Sequence, residues 1–529
     1  MEVGLVLRAM ALGAVAALAL PPVHAVPVLW LVVPALLGLV GAQLGRWGAF
    51  RVGFWFGFGH HLVGLYWITE AILIESARYW WLVPLAVPAL AAVMAVFIAV
   101  ACGVARWFPA GWARVAGLVG AWGVAELGRQ FVATGFPWNP WGSVWAVPGG
   151  VGDVMLQPAA WVGVHGLTLA TLALAATPVL GRRAVVGGVF VLVAWGGFGV
   201  WRLGGEAGPA PGVSVVLVQG NVEQGQKWDR GLMAAIFERY LTLTQGAVAG
   251  IQGNAVVVWP ETASPYLLDR DAAARTMIAQ AGRGVPALIG SVRFDAERRP
   301  YNSLVALDGA GVTVAIYDKW HLVPFGEYQP AWLPLPVTFG PSGFAGGPGP
   351  RTLHVPGVPP VGPLICYEVI FPGVVVDRAD RPAWLVTVTN DAWFGNSTGP
   401  RQHLAAARLR AVEEGLPIMR AANTGISAGY DAFGRELGRV GMGVTGTLVL
   451  ALPGALGATV FARFGLLVPV GLMMLALGLA LGLAGWGWFR SRRLEVSKDE
   501  TEPRVVHHLL TIAGCAAIVS INRNGPYAV

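Results

Sequence analysis

Eight long apolar runs constrain this chain more than any other feature of its sequence. Each has roughly the 20 residues that an α-helix needs to cross about 30 Å of hydrocarbon. Seven of them precede a longer, more polar stretch, and one follows it. They lie near Val3–Leu20, Val26–Leu44, Val52–Leu73, Trp80–Val104, Ala113–Val132, Ala159–Leu180, Ala184–Leu203 and Phe464–Phe489. The pattern predicts a polytopic α-helical membrane bundle of eight transmembrane helices.

The composition excludes the other broad classes of protein. Of the 529 residues, 55% are hydrophobic and 12% are charged, whereas an ordinary soluble domain has roughly 25% charged residues. Disorder is excluded because a chain this apolar collapses or inserts into a membrane. The net charge of +7 is spread thinly, which favours membrane topology signals over nucleic-acid binding. Three cysteines are too few for a disulfide scaffold.

Arginine placement predicts the orientation of the helices. Cytoplasmic connections of membrane proteins carry excess Lys and Arg. Basic residues occur after the second, fourth and sixth runs and after the eighth, at Arg46, Arg51, Arg106, Arg114, Arg182, Arg183, Arg490, Arg492 and Arg493. Both termini are therefore expected on the cytoplasmic side and the polar stretch outside. The first run, ending near Val23-His24-Ala25, also fits a signal peptide. We favour an uncleaved helix, since nothing soluble follows directly.

The polar stretch has the pattern of an α/β domain. Short β-branched runs such as Val213–Val218 and Val361–Cys366 alternate with helical stretches such as Leu232–Ala249, which is typical of layered sheets and helices. We therefore expect a seven-helix membrane domain (1–204), an extracytoplasmic catalytic domain (212–455), an eighth transmembrane helix (462–490) and a cytoplasmic tail of unknown role (491–529).

Lysine is rare in this chain, which makes each lysine informative. Only Lys227, Lys319 and Lys498 are lysines among the 36 basic residues. A lysine amine is a compact point charge whose pKa responds to burial, whereas arginine stays protonated. Lys319 follows a predicted strand and has apolar and aromatic neighbours, so it suits stabilisation of a developing oxyanion.

Two further residues follow predicted strands and carry reactive groups. Cys366 ends an apolar run with Glu368 two residues on, and a thiol becomes a nucleophile only beside a base or a positive charge. Glu261 lies in Trp259-Pro-Glu261. Its apolar neighbours are expected to desolvate the carboxyl and raise its pKa toward that of a working base.

Together, Glu261, Lys319 and Cys366 resemble the Glu–Lys–Cys triad of the carbon–nitrogen hydrolase (nitrilase) superfamily. That resemblance implies an αββα sandwich, with Glu261 as general base, Lys319 supporting the transition state and Cys366 as acyl acceptor. With seven apolar runs before this domain and one after it, the chain resembles one family of that superfamily, the bacterial apolipoprotein N-acyltransferases. The resemblance rests on these motifs: Gly135-Phe-Pro-Trp138, Val218-Gln-Gly220, Lys227-Trp228, Trp259-Pro-Glu261, His321-Leu-Val-Pro-Phe-Gly-Glu-Tyr328, Cys366-Tyr-Glu368, Asn390-Asp-Ala-Trp-Phe-Gly395 and Arg420-Ala-Ala-Asn-Thr-Gly425.

The family's supporting positions fall on Trp228, Glu327, Tyr367 and Glu368, and Trp393 has two open interpretations, a pocket wall or loop packing. The resemblance implies a phospholipid acyl donor, a diacylglyceryl-modified apolipoprotein acceptor, contact with membrane lipid and residence in the bacterial inner membrane with the catalytic domain in the periplasm. It implies no cofactor and no metal. We expect a monomer that binds no nucleic acid.

Two other functions and two local interpretations stay open at this point. A membrane-tethered amidase would share the triad but needs only one helix. A transporter is disfavoured because charges within the helices are few, Glu126 and Arg129 being the clearest. The apolar loop Trp320–Pro350 fits an acyl-chain-binding lid, with Trp332, Leu335, Phe339 and Phe344 touching lipid, or a loop packed on its own domain. The motif beginning at Gly135 fits an interfacial aromatic anchor or a substrate element.

Overall fold

The computed structural model describes residues 2–74, 76–227, 229–331 and 343–501, with side chains described as far as residue 490. Three sequence predictions lie outside these residues. They are the supporting position at Trp228, the lid residues Trp332, Leu335 and Phe339, and all of the tail beyond residue 501.

The N-terminal part of the described chain is helical. Helices occur at every apolar run before the polar stretch, and short helices lie in two of the connections between them. The helices are α1 (Val3–Ala16), α2 (Leu29–Gly41), α3 (Arg46–Gly64), α4 (Ile68–Leu73), α5 (Ser76–Tyr79), α6 (Val83–Ala105), α7 (Trp112–Gly128), α8 (Gly150–Met155), α9 (Ala159–Ala175) and α10 (Arg182–Leu203).

Three helical stretches among the described residues have the length and apolar composition to cross a membrane: Ser76–Ala105, Arg182–Leu203 and Leu467–Arg490. Others, such as Val3–Ala19 and Ala159–Ala175, are apolar but shorter. The chain thus contains membrane-compatible helices, and the count of eight spans stays a prediction.

The predicted third and sixth runs are not single uninterrupted helices. The third is divided between α3, which ends at Gly64, and α4. Within the sixth, Gly163 has φ +64°, a left-handed conformation that interrupts α9 and that glycine adopts at little steric cost. A Cβ at Gly163 would lie 2.3 Å from the Phe461 ring. Close packing and the backbone break therefore require glycine at the same position.

The polar stretch folds into two six-stranded sheets. The strands are β1 (Val213–Gln219), β2 (Asn254–Trp259), β3 (Ala287–Phe294), β4 (Pro300–Leu307), β5 (Thr313–Asp318), β6 (Leu353–Val355), β7 (Val358–Ile365), β8 (Trp384–Thr389), β9 (Ile418–Ala422), β10 (Ser427–Tyr430), β11 (Glu436–Val440) and β12 (Gly446–Ala451). The sheet orders are β12-β1-β2-β3-β4-β5 and β11-β10-β9-β8-β7-β6. The central strands β1, β2 and β3, and likewise β7, β8 and β9, are parallel.

The two sheets pack face to face and helices cover their outer faces. Val215 and Val256 of the first sheet share a core with Val386 and Met419 of the second. Helices α11 (Met233–Val248) and α12 (Ala272–Ala281) cover the outer face of the first sheet. Helix α13 (Gly399–Glu414) covers the second. This is the αββα sandwich that the sequence resemblance implies.

Helix α13 lies between the sandwich and the N-terminal helices. Leu404 and Ala407 pack on the second sheet, while Leu409 and Val412 belong to the core of the N-terminal helices. Short helix α14 (Val460–Phe464) and long helix α15 (Leu467–Thr501) are the last elements of the described residues. Both faces of α13 are covered, so the two halves of the molecule share one continuous packed layer.

Candidate active site

The three triad residues each follow a strand, and the fold brings them together. Glu261 comes two residues after β2, Lys319 directly after β5 and Cys366 directly after β7. Lys319 Nζ lies 3.2 Å from Glu261 Oε1. Cys366 is within electrostatic range of both charged groups. The site therefore lies where the carboxyl ends of β2 and β7 meet, as expected for parallel strands in α/β folds.

Glu261 is held by hydrogen bonds to both of its oxygens. Asn302 Nδ2 donates to Oε1 at 2.7 Å, and the backbone N–H of Asn390 donates to Oε2 at 2.8 Å. Burial alone would raise the pKa of this carboxyl, but Lys319 and Lys227 outweigh burial and hold the pKa below its usual value. The predicted rise in the pKa of Glu261 is wrong, because two buried ammonium groups offset the desolvation. The carboxylate is ionised at neutral pH and ready to accept a proton.

Lys319 lies between two carboxylates. Its side chain is 1% exposed, and Nζ lies 2.9 Å from Glu327 in addition to its contact with Glu261. Burial would lower the pKa of this amine, but Glu261, Glu327 and Cys366 raise it well above its usual value. Asn302 Nδ2 also donates to Glu327 Oε1 at 2.8 Å. The result is a permanently charged ammonium in a fixed position.

Cys366 has a strained backbone and a protonated thiol. Its φ is +51°, a left-handed conformation that costs a non-glycine residue about 1–2 kcal/mol and that clusters at functional sites. Burial, followed by the charge of Glu261, raises the pKa of the thiol well above its usual value, and Lys319 opposes this. The resting group is therefore a thiol, and it needs a neighbouring base to become a nucleophile.

Glu368 joins the strand that ends before Cys366 to the loop that follows Lys319. Its Oε2 accepts from Ile365 N at 2.6 Å and from Tyr317 OH at 2.9 Å, while Oε1 accepts from Trp320 N at 2.7 Å. Burial raises the pKa of this carboxyl to about 7. The side chain is inaccessible to substrate, and it fixes the segments on either side of the site.

Tyr367 contacts the N-terminal half of the chain. Its hydroxyl donates to Gly135 O at 2.8 Å, and His321 Nε2 lies 3.0 Å from Thr134 O. A Cβ at Gly135 would lie 3.0 Å from the Phe371 ring. The Gly135–Trp138 motif thus contacts the segment that follows Cys366, which neither of the two sequence interpretations anticipated.

Trp393 lies in the loop after β8, beside Phe394. This side chain is half-buried, whereas its neighbour Phe394 forms edge-to-face contacts with Trp67 and Trp138 at 4.7 and 5.8 Å between ring centroids. In the apolar loop, the described end at Phe344 is held by Glu327, whose carbonyl accepts from Phe344 N at 3.0 Å.

Sequence reasoning assigned no role to several residues that build the site. Lys227 Nζ donates to Glu261 O at 2.8 Å, and burial lowers its pKa to about 8. Its rarity as a lysine was the available signal. For Asn302 the available signal was its residue type, because asparagine is depleted in strands. The structure places this asparagine in β4, where it is buried.

Comparisons with known proteins agree with this architecture. The carbon–nitrogen hydrolase family model matches residues 215–459, and the model of the apolipoprotein N-acyltransferase N-terminal domain matches residues 12–177. Together these two regions include both the sandwich and most of the N-terminal helices.

Full-length relatives extend the match over nearly the whole chain. The apolipoprotein N-acyltransferase of Bradyrhizobium diazoefficiens is 38% identical, covering 90% of this chain and 94% of the relative. That of Rhodopseudomonas palustris is 37% identical, covering 89% and 93%. That of Allorhizobium ampelinum is 40% identical, covering 81% and 86%. The chain therefore belongs to the apolipoprotein N-acyltransferase family.

Proposed function

We propose that this protein moves a fatty acyl chain from a phospholipid to the α-amino group of the diacylglyceryl-modified N-terminal cysteine of apolipoproteins. The observation that carries the proposal is the buried arrangement of Glu261, Lys319 and Cys366 on a chain of this family. An ionised carboxylate, a fixed ammonium and a resting thiol are the groups that acyl transfer through a thioester requires.

In the first half-reaction, Glu261 takes the thiol proton as Cys366 Sγ attacks the ester carbonyl carbon of the phospholipid. Because the resting pKa of the thiol is raised, loss of the proton accompanies attack. The Lys319 ammonium stabilises the oxyanion of the tetrahedral intermediate. The ester C–O bond then breaks, Glu261 returns the proton to the leaving oxygen, and lysophospholipid departs from a thioester on Cys366.

In the second half-reaction, the acceptor amine attacks the thioester carbonyl carbon. Glu261 removes a proton from the amine nitrogen as the C–N bond forms, and the C–S bond of the tetrahedral intermediate breaks. Glu261 gives the proton that it took from the amine to the departing sulfur, which regenerates the thiol and the Glu261 carboxylate. Water must be kept from the thioester between the two steps, and the burial of all three side chains supports that requirement.

The supporting residues have positioning roles in this scheme. Glu327 fixes the ammonium of Lys319, and Asn302 fixes Glu327. Glu368 fixes the segments flanking the site, and Tyr367 ties the turn after Cys366 to the N-terminal half. We assign Trp228 and Trp393 to substrate binding on the family resemblance.

We further propose that the protein is a monomer in the bacterial cytoplasmic membrane, with residues 1–204 and 462–490 forming eight spans. The catalytic domain, 212–455, faces the periplasm, and both termini, including the tail 491–529, are cytoplasmic. The apolar helices and the arginine pattern support this topology.

The test is to incubate the purified protein with phospholipid alone and to measure its intact mass. We expect an increase equal to one acyl group, and loss of that adduct when a diacylglyceryl-cysteine lipopeptide is added. Cys366→Ala should form no adduct. Cys102→Ala is the matched control, because Cys102 is buried in α6 and should leave the adduct unchanged.

A membrane-tethered amidase predicts a different outcome. It would hydrolyse small soluble amides through Cys366 and form no adduct from phospholipid. That pair of results would overturn the acyltransferase proposal.

A further inference from the structure

A buried polar network contacts the backbone of Cys366 and takes part in none of the steps above. The Cys366 carbonyl oxygen lies 3.0 Å from His403 Nε2. His403 projects from α13 and is 1% exposed. A buried imidazole directed at the nucleophile's own peptide group is suited to fix that group's orientation.

Two charged residues orient the His403 ring. Its Nδ1 lies 3.0 Å from Asp391 Oδ1 and 3.2 Å from Arg420 Nη2. Arg420 Nη2 also donates to Asp391 Oδ2 at 2.6 Å. Asp391 lies two residues after the end of β8, and Arg420 lies on the adjacent strand β9. The ring is therefore anchored to the centre of the second sheet.

Burial and neighbouring charges shift the pKa values of Asp391 and His403. Burial would raise the pKa of Asp391, but Arg420 and His403 hold it well below its usual value. Burial and the positive charge of Arg420 lower the pKa of His403. His403 Nε2–H donates to the Cys366 carbonyl oxygen, and Nδ1 lies beside both Asp391 Oδ1 and Arg420 Nη2.

Cys366 needs such a restraint because its φ of +51° is unfavourable for a residue with a side chain. Glu368 holds the Leu364–Ile365 peptide, one peptide further upstream, through Ile365 N, and His403 holds the Cys366–Tyr367 peptide through the carbonyl of Cys366. Without the second restraint, the backbone can relax toward negative φ and rotate the Cβ–Sγ bond away from Glu261 and Lys319.

We propose that His403, oriented by Asp391 and Arg420, is a positioning residue that keeps the Cys366 backbone in its left-handed conformation and so aligns the thiol with Glu261 and Lys319. The inference rests on Cys366 being the nucleophile of the proposed function. It assigns a role to Asp391 and Arg420, two residues of the sequence motifs that the reaction scheme leaves unassigned.

The test compares His403→Ala with His403→Gln, whose side-chain amide retains a donor near the position of Nε2. We measure the rate of acyl-adduct formation from phospholipid. Separately, we measure the rate at which iodoacetamide alkylates Cys366 in the folded protein, read from the mass of the Cys366-containing peptide after digestion. A misplaced nucleophile lowers rates by roughly 100-fold, so we expect His403→Ala to slow both reactions by roughly 30- to 100-fold. KM for the lipopeptide should change by less than about threefold. His403→Gln should be at least about tenfold faster than His403→Ala in both reactions.

A second variant perturbs the network without removing a polar group. A Cβ at Gly425 would lie 2.2 Å from Asp391 Oδ2, so Gly425→Ala displaces Asp391 and should slow both reactions by at least about fivefold. This variant keeps the proposal testable if His403→Ala does not fold. Thr352→Val, which removes a buried hydrogen bond to Asp380 O at the β6 edge, should leave both rates unchanged.

Alkylation at the wild-type rate in His403→Ala or in Gly425→Ala would overturn the inference. Equal losses in His403→Ala and His403→Gln would also overturn it, because general packing would then explain the effect. The alkylation readout needs no acyl donor. A protein that forms no adduct from phospholipid but shows His403-dependent alkylation would therefore refute the acyltransferase proposal and leave this inference standing.

Discussion

Glu413, on α13 of the sandwich, accepts a hydrogen bond from the backbone N–H of Val164 at 2.7 Å, immediately after the break in α9 at Gly163. The break leaves this N–H without a helical partner, and a carboxylate from the other half of the molecule takes that place. Glu413 is fully buried, and burial raises its pKa to about 7. The contact between the two halves of the protein therefore contains a group that titrates near neutral pH.

We predict that wild-type stability falls as pH rises through this range and that Glu413→Gln reduces the fall. The folded-state pKa of about 7 exceeds the ordinary value of 4.5, so the folded protein binds the proton more tightly than the unfolded chain. The stabilisation is full below pH 4.5 and is lost as pH rises through 7, at a cost on the order of 3 kcal/mol. Glutamine still accepts from Val164 N but does not ionise.

The measurement is the melting temperature in detergent between pH 5 and 8.5. Glu297→Gln is the control, since Glu297 is 67% exposed and its replacement should leave the wild-type pH dependence intact. If wild type and Glu413→Gln have identical pH dependences, the pKa of Glu413 is the same in the folded and unfolded states, and the prediction is wrong.

Replacing Lys319 by arginine is predicted to reduce turnover by at least about 100-fold. The amine is 1% exposed and lies between Glu261 and Glu327, so a longer planar guanidinium displaces both carboxylates and loses the point-charge geometry. The acyl-adduct rate measures this effect. Lys498→Arg, in the predicted cytoplasmic tail, is the matched control and should be silent. Normal turnover by Lys319→Arg would refute the requirement for an amine at this position.

Gly290→Ala is predicted to displace Glu261, the proposed general base. Gly290 lies on β3, and a Cβ there would be 2.0 Å from Pro260 O and 2.7 Å from Thr262 N, so the backbone carrying Glu261 must shift. A shift of about 1 Å lowers the rate by roughly 10- to 100-fold. Gly246→Ala, on α11 with no atom within 4 Å of the added methyl group, is the control and should retain full activity. Full activity of Gly290→Ala would mean that the base tolerates displacement.

Glu368→Gln is predicted to impair both stability and turnover. The carboxylate accepts from Ile365 N, Tyr317 OH and Trp320 N, and an amide offers only one acceptor oxygen. At least one buried donor then loses its partner, at a cost of about 1–3 kcal/mol. Because the flanking segments of the site loosen, we expect roughly a 100-fold slower acyl-adduct formation and a lower melting temperature.

The control for this substitution is Glu238→Gln, which replaces an exposed glutamate on α11. It should change neither the melting temperature nor the rate. Wild-type adduct formation by Glu368→Gln would contradict the positioning role of Glu368.

The positions of the reactive residues were largely predictable from the sequence. Strands were expected at Val213–Val218 and Val361–Cys366, and the structure has β1 over the first segment and β7 over the second as far as Ile365. Period and residue type are local properties, so they identify strands, and the residues that follow them, without tertiary information. Strands β9 to β12 were not predicted, because short segments containing glycine and charged residues, such as Glu436–Val440, lack a clear β pattern.

Helix α13 shows what local sequence does not determine. It carries Arg408, Arg410, Glu413 and Glu414, a composition typical of an exposed helix, yet all four side chains are buried. Two of them have ion-pair partners in distant segments: Arg408 Nη2 lies 2.5 Å from Asp153 Oδ1, and Glu414 lies 3.1 Å from Arg381 Nη1. Arg410 Nε and Glu413 Oε2 pair within the helix at 2.9 Å.

The sequence by itself thus determined the apolar helices, a layered α/β domain and the order of Glu261, Lys319 and Cys366, since each follows from composition or from local pattern, and the family resemblance implied the αββα sandwich. Only the tertiary structure decided the ionisation of Glu261 and the left-handed backbone of Cys366 with its contact to His403. Both depend on charges and hydrogen bonds between residues far apart in the chain. Lys227 lies 34 residues before Glu261, and His403 lies 37 residues after Cys366. The physical reason is that electrostatic and hydrogen-bond energies depend on distance in space, which only the folded chain fixes.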